Sequence, residues 1–179
     1  MNKNKTLNTR SLVTMAMFAA ILCVSAYISI PLPNGSHITA LNFVVTLIIL
    51  TFSVSQSVSI IAVWLLLGIV GVPVFIGGNA GIGYLLGSYG GYSFSFVLIA
   101  ILIPLLAGKT YNRVYYTILG VLSAVIVDLV GTFWLMVVGG LSLKAAFIAG
   151  FAPFILLDIV KVVIAAQIVP QFRRILVSE

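Results

Sequence analysis

The chain carries only three acidic side chains, and two of them, Asp128 and Asp158, interrupt long apolar runs. Lys161 follows Asp158 by three residues, which sets both on one face of a helix. A charge at membrane depth costs at least about 2.5–3.5 kcal/mol on insertion scales, so it needs a partner and usually a purpose. An Asp158–Lys161 pair that only neutralises itself is one reading, and it leaves Asp128 unexplained. The other reading is a polar patch that takes a ligand. Carboxylates accept hydrogen bonds from N–H groups, an ammonium donates, and an amide such as Asn79 does both. A few such groups converging in an apolar cavity suit a small, mostly apolar molecule with a compact polar head. Tyr84, Tyr89, Tyr92, Trp64 and Trp134 are candidates for ring surface around it, although each also fits interface anchoring or helix packing.

Other chemistries lack their residues. His37 is the single histidine and Cys23 the single cysteine, so neither a metal site of three or four ligands nor a disulfide within the chain is expected. The sequence has no HExxH, GxSxG or P-loop motif. Gly81 and Gly83 begin a GxGxxG pattern, but Leu86 stands at its last position. No cofactor is expected, and any ATP must be used by a partner. An intramembrane enzyme needs a metal cluster or an activated nucleophile, and the scarcity of His, Cys and carboxylates argues against both. His37 reads as a solvated loop residue beside Pro31, Pro33, Asn34 and Gly35, or alternatively as part of a lid.

The elements that must position these groups are membrane helices. The chain is 62% hydrophobic and only 7% charged, against about 25% charged in soluble domains. A soluble chain of 179 residues has too little interior to hide so much apolar surface, so its solvent is lipid. One domain over 1–179 is expected, with tails at 1–10 and 170–179. Apolar segments run approximately over 11–30, 38–54, 57–72, 92–107, 114–138 and 145–169. A spanning helix needs roughly 17–25 residues, and the third and fourth segments are short by that measure. Ser53, Ser55, Gln56, Ser57 and Ser59 mark only a weak break between the second and third. The first run is long for a signal-peptide core and reads as retained. No internal repeat suggests two inverted halves.

An even number of spans puts both termini on one side. Lys3, Lys5, Arg10, Lys109, Arg113, Arg173 and Arg174 fall on that side and Lys144 on the other, which makes the termini cytoplasmic. The net charge of +6 is thus a topology signal and not a nucleic-acid surface. At about 1.5 Å per residue Asp128 lies roughly 22 Å from Arg113, and Asp158 about 20 Å along its helix from Lys144. The two acids then meet across a helix pair, below an outward mouth. The segment GVPVFIGGNAGIGYLLGSYGG at 71–91 roofs that mouth. It holds half of the 16 glycines and no charged residue. Irregular backbone at membrane depth must be covered by protein or line a cavity, so this stretch is the best single pointer to a ligand site.

These motifs resemble the BioY family, the biotin-specific substrate-binding (S) components of energy-coupling factor (ECF) transporters. The likeness extends over nearly the whole chain and is most specific in GVPVFIGGNAGIGYLLGSYGGYSFSF at 71–96 and APFILLDIVKVVIAA at 152–166. Gly90, Gly91 and Tyr92 match a GGY motif; Pro153, Asp158 and Lys161 match a proline followed by D-x-x-K. Ser88 and Tyr89 depart from the Pro-Thr usual before GGY, and Leu156 and Leu157 from the Pro-Gly usual before the aspartate. The resemblance implies an all-α, six-helix S-component bundle in a bacterial cell membrane. It implies capture of biotin from the outer face, with Asn79, Asp128, Asp158, Lys161, Tyr84, Tyr89 and Tyr92 as its site. The partners implied are an EcfT-type membrane protein, contacted through small residues Ala16, Ala19 and Ala20 of helix one, and two cytoplasmic ATPases. Asp128 or Asp158 would take the ureido N–H groups, and Asn79 or Lys161 would donate to the ureido carbonyl. Asp128, Asp158 and Lys161 sum to −1 if all are ionised, and biotin adds −1. Either one aspartate carries a proton, or the biotin carboxylate stays at the wet mouth on backbone N–H groups of the loop, the arrangement preferred here. An S component for riboflavin, thiamin or niacin is the close alternative; a self-contained carrier or channel is the remote one.

Overall fold

The computed structural model describes residues 9–31, 37–108 and 110–177, with side chains to Arg173. Lys3, Lys5, Lys109, Pro33, Asn34, Gly35 and the side chain of Arg174 lie outside the described residues. Helix α1 (Thr9–Ser25) leads into a short antiparallel hairpin, β1 (Ser29–Pro31) and β2 (His37–Thr39). Helices α2 (Leu41–Thr51) and α3 (Val54–Ile69) follow, then a 3₁₀ turn at Ile76–Gly78 and the short helix α4 (Ile82–Leu86). Helix α5 (Gly90–Leu106), α6 (Arg113–Val138) and a final rod complete the chain. The rod is α7 (Leu143–Ala146), a π-helical stretch (Phe147–Phe151) and α8 (Ala152–Val177).

Each apolar segment read from the sequence contains a helix and the chain is mostly helical, with one short hairpin that the sequence reading did not include. Residues 29–31 and 37–39 pair as strands, with Ile30 opposite Ile38. The first helix therefore stops at Ser25 and the second begins at Leu41. The shortest of the six long segments is the second, at 11 residues, and not the third or fourth. At 1.5 Å per residue it rises only about 16 Å. Strand β2 extends it toward the glycine-rich end of the molecule.

Local chemistry sets the boundaries. The break between α2 and α3 is firmer than a run of serines suggests. The Ser53 N–H donates to Gln56 Oε1 at 3.1 Å and its hydroxyl donates to the same atom at 2.9 Å, satisfying groups that a helix start leaves open. Asn112 caps α6 by accepting from the Tyr115 N–H at 3.0 Å. Pro153 has no N–H to give the preceding turn, and the rod widens there into five π-helical residues. Pro104 and Pro170 lie inside α5 and α8.

The core runs through the middle of the bundle, with Leu22, Val45, Ile48, Ile61, Trp64, Phe96 and Ile99 almost fully buried. Leu12, Val13, Met17, Ile21 and Val24 of α1 are exposed, as are Val114, Ile118, Leu122, Leu129 and Phe133 of α6. Apolar faces of this extent need a non-aqueous neighbour. Ala16 and Ala20 share the exposed face of α1, but Ala19 is buried in the bundle. Ala19 thus lies off the face that Ala16 and Ala20 share.

Candidate functional site

Asp128 and Asp158 lie on packed helices, α6 and α8, and line one cavity of about 290 Å³. Lys161 and Phe154 of α8, Asn42 of α2 and Tyr92 of α5 complete its inner walls. Ile76, Asn79, Tyr84 and Tyr89 line it from the glycine-rich segment, and His37 and Thr39 from β2. All seven ligand-site candidates from the sequence thus share one space. His37, first read as a solvated loop residue, joins them.

The two acids are in different states. Asp158 is 2% exposed and accepts from Lys161 Nζ at 2.6 Å and from Asn42 Nδ2. The D-x-x-K spacing therefore makes an ion pair, and the amide of Asn42 ties it to α2. Asp128 is 1% exposed, and neither of its carboxylate oxygens has a hydrogen-bond partner among the described residues. Buried acceptors rarely go unmatched in folded proteins, so this carboxylate is suited to take N–H donors from a guest. Lys161 keeps donors beyond the one given to Asp158, since an ammonium has three.

The roof is held by aromatic side chains bonded to backbone. Trp64 Nε1 donates to the Val74 carbonyl at 2.8 Å and Trp134 Nε1 to that of Gly87 at 2.9 Å. These two indoles fix the two ends of the glycine-rich segment and do not line the cavity. The GGY motif is a packing device. A Cβ on Gly90 would stand 1.7 Å from the Leu85 carbonyl oxygen, and one on Gly91 2.2 Å from Trp134 Cβ. The Tyr92 ring covers Gly131 of α6, and its hydroxyl donates to the Gly150 carbonyl in the π-helical stretch at 2.6 Å. Tyr84 stacks on Phe75 with ring centres 5.3 Å apart. Its hydroxyl has no hydrogen-bond partner among the described residues. Burial, with a smaller contribution from Tyr89, pushes that hydroxyl well above the usual tyrosine range, so it stays a donor. Asn79 Nδ2 donates to the Ile76 carbonyl at 2.7 Å.

Sequence reasoning missed Asn42, Thr39, Ile76 and Phe154. Asn42 had a usable signal: it is the only amide in its apolar run, the same kind of anomaly that drew attention to Asp128. Ile76 and Phe154 carry no signal that separates wall from core. No group of three or more His, Cys, Asp or Glu side chains comes together among the described residues.

Comparison with known proteins gives a consistent picture. Residues 1–178 match the model of the BioY family. A protein of Thermotoga maritima named biotin transporter BioY is 34% identical over 166 residues, covering 93% of this chain and 97% of that relative. Biotin transporter BioY2 of Lactococcus lactis subsp. cremoris is 30% identical over 86% of this chain and 85% of its own length. Among solved structures, the crystal structure of an S-component for biotin from an ECF-type ABC transporter matches with a TM-score of 0.86. That match covers 97% of this chain and 95% of the other at 24% identity, and it bears on the fold.

Proposed function

The chain belongs to the BioY family, and from that premise we propose that it captures biotin as the substrate-binding component of an ECF-type vitamin transporter. It is a multi-pass membrane protein, and α6 and the rod from Leu143 to Arg173 are each long and apolar enough to cross a bilayer. The observation that carries the ligand reading is Asp128, a buried and unmatched carboxylate beside a cavity that also holds the Asn42–Asp158–Lys161 triad. Biotin's ureido ring has two N–H donors and one carbonyl. Asp128 takes the N–H groups, and Lys161 or Asn79 donates to the carbonyl. Phe154, Ile76 and Tyr92 supply walls for the rings and tail.

The full reading has six spans with both termini cytoplasmic and the cavity opening outward. The concentration of Arg10, Arg113 and Arg173 away from the glycine-rich end supports it. The sequence has no nucleotide-binding motif, so energy comes from an EcfT-type protein and two ATPases. Ala16 and Ala20, small and exposed on α1, are the proposed contact with the membrane partner. Calorimetry on the purified chain tests the ligand: biotin binds with a submicromolar Kd, and riboflavin, thiamin and niacin do not. Folded protein that gives no heat with biotin rejects the assignment. Proteoliposomes holding this chain alone are expected to show no uphill uptake, with or without a proton gradient.

A further inference from the structure

Biotin has two polar ends, and the cavity treats its two ends differently. Asp128 and Asp158 crowd its inner end with two carboxyl groups, and Lys161 is already paired with Asp158 there, so that end is poorly suited to a third carboxyl group. Asp128 lies ten residues inside the Val138 end of α6, about 15 Å along the helix. The cavity wall formed by β2 and the glycine-rich segment has no acidic or basic side chain apart from His37. Two polar groups there stand out. His37 Nδ1 is buried without a hydrogen-bond partner among the described residues, and so is the Tyr84 hydroxyl. Asn79 is already bonded to the Ile76 carbonyl.

The imidazole is also held in place. Gly77 has φ +69°, and a Cβ on it would lie 2.8 Å from His37 Cε1, so the ring lies directly against the backbone of the 3₁₀ turn. The Gly77 N–H donates to the Ala26 carbonyl at 3.3 Å, which ties that turn to the chain entering the hairpin. A ring donor fixed by its scaffold loses little freedom on binding.

We propose that His37 is the specificity-determining donor for the carboxylate end of the ligand, with the Tyr84 hydroxyl as its second donor. This replaces loop backbone N–H groups as the anchor at the mouth, and it rests on biotin being the guest. It assigns the ureido end to Asp128 and the acid end to the hairpin and roof.

The test is a ligand-by-variant comparison using biotin and biotinol, in which a hydroxymethyl group replaces the carboxylate. Both are titrated into the purified full chain and into His37→Ala, His37→Gln and Tyr84→Phe. His37→Ala is expected to lose about ten- to a hundredfold in affinity for biotin, the worth of a hydrogen bond to a charged group, and less than about threefold for biotinol. Tyr84→Phe shifts in the same sense by less, and His37→Gln, which keeps an N–H donor, retains more biotin affinity than His37→Ala. Binding of biotinol by the variants also shows that they are folded. Equal losses for both ligands, or undiminished biotin binding by His37→Ala, overturn the proposal. A wild-type chain that binds neither ligand overturns the biotin assignment itself, and this inference with it.

Discussion

The two ends of the bundle are both rich in aromatic and polar residues, yet they handle polar atoms in opposite ways. At the arginine end the tyrosines, Arg173 and Gln167 are bonded within the chain, and the Thr51 hydroxyl is an exception. Tyr111, Tyr115 and Tyr116 donate their hydroxyls to the carbonyls of Ala166, Leu106 and Gly108 at 2.9, 2.8 and 2.8 Å. Arg173 donates to the Tyr116 hydroxyl, and its guanidinium lies 5.4 Å from the centre of that ring. Gln167 bridges Thr117 and Arg113. At the glycine-rich end, two indoles and Tyr92 fix the backbone, but Asp128, the Tyr84 hydroxyl and His37 Nδ1 have no hydrogen-bond partner among the described residues. Aromatic content therefore does not locate the site. What sets this end apart is that the unmatched groups of Asp128, Tyr84 and His37 line one cavity, whereas the unmatched hydroxyls of Thr51, Ser93 and Thr132 lie outside its lining.

That contrast extends to the two acids, and substitutions can break or sharpen it. Asp158→Ala should have the largest effect, removing about 3–5 kcal/mol of stability because Lys161 loses its buried partner. Thermal unfolding in detergent reads this, and an unchanged Tm would mean that the triad does not hold α2 to α8. Asp128→Asn should weaken biotin binding by about 2–4 kcal/mol in calorimetry without lowering Tm, since it breaks no bond within the chain among the described residues. A lower Tm with undiminished affinity would reverse the roles given to the two acids. Gly131→Ala places a methyl 2.3 Å from the Tyr92 ring. It should cost about 1–3 kcal/mol and depress both Tm and biotin affinity, because Tyr92 joins the roof to the cavity wall. Tyr116→Phe at the arginine end should cost only about 1 kcal/mol of stability and leave the biotin Kd where it was. Loss of biotin binding in that variant would show that the two ends are coupled.

The helices were legible because apolar runs of helical length have few alternatives in lipid. The hairpin was not. Its strands are three residues each, too short for an alternation pattern to show. The Ser53–Gln56 cap was visible as letters, yet its strength came from geometry. The π-helical stretch before Pro153 was hidden, since a proline in a helix resolves as a kink, a bulge or an end according to what packs around it. In the site, scarcity was the signal. Asp128, Asp158, Lys161 and Asn79 were conspicuous as rare polar groups in an apolar chain, while Ile76 and Phe154 looked like any other wall residue. Asn42 was equally rare in its run and was overlooked.

The sequence by itself determined the solvent, the helical segments and the short roster of groups able to meet a ligand. Those follow from hydropathy and composition, which add up along a chain without regard to distance. Only the tertiary structure decided that Asp158 is paired and Asp128 is not, that Trp64 and Trp134 brace the glycine-rich segment without lining the cavity, that Ala19 faces inward, and that His37 lines the cavity. Hydrogen bonds and ion pairs fall off over a few ångströms. Their partners are set by how helices far apart in sequence cross, and no spacing within one helix contains that information.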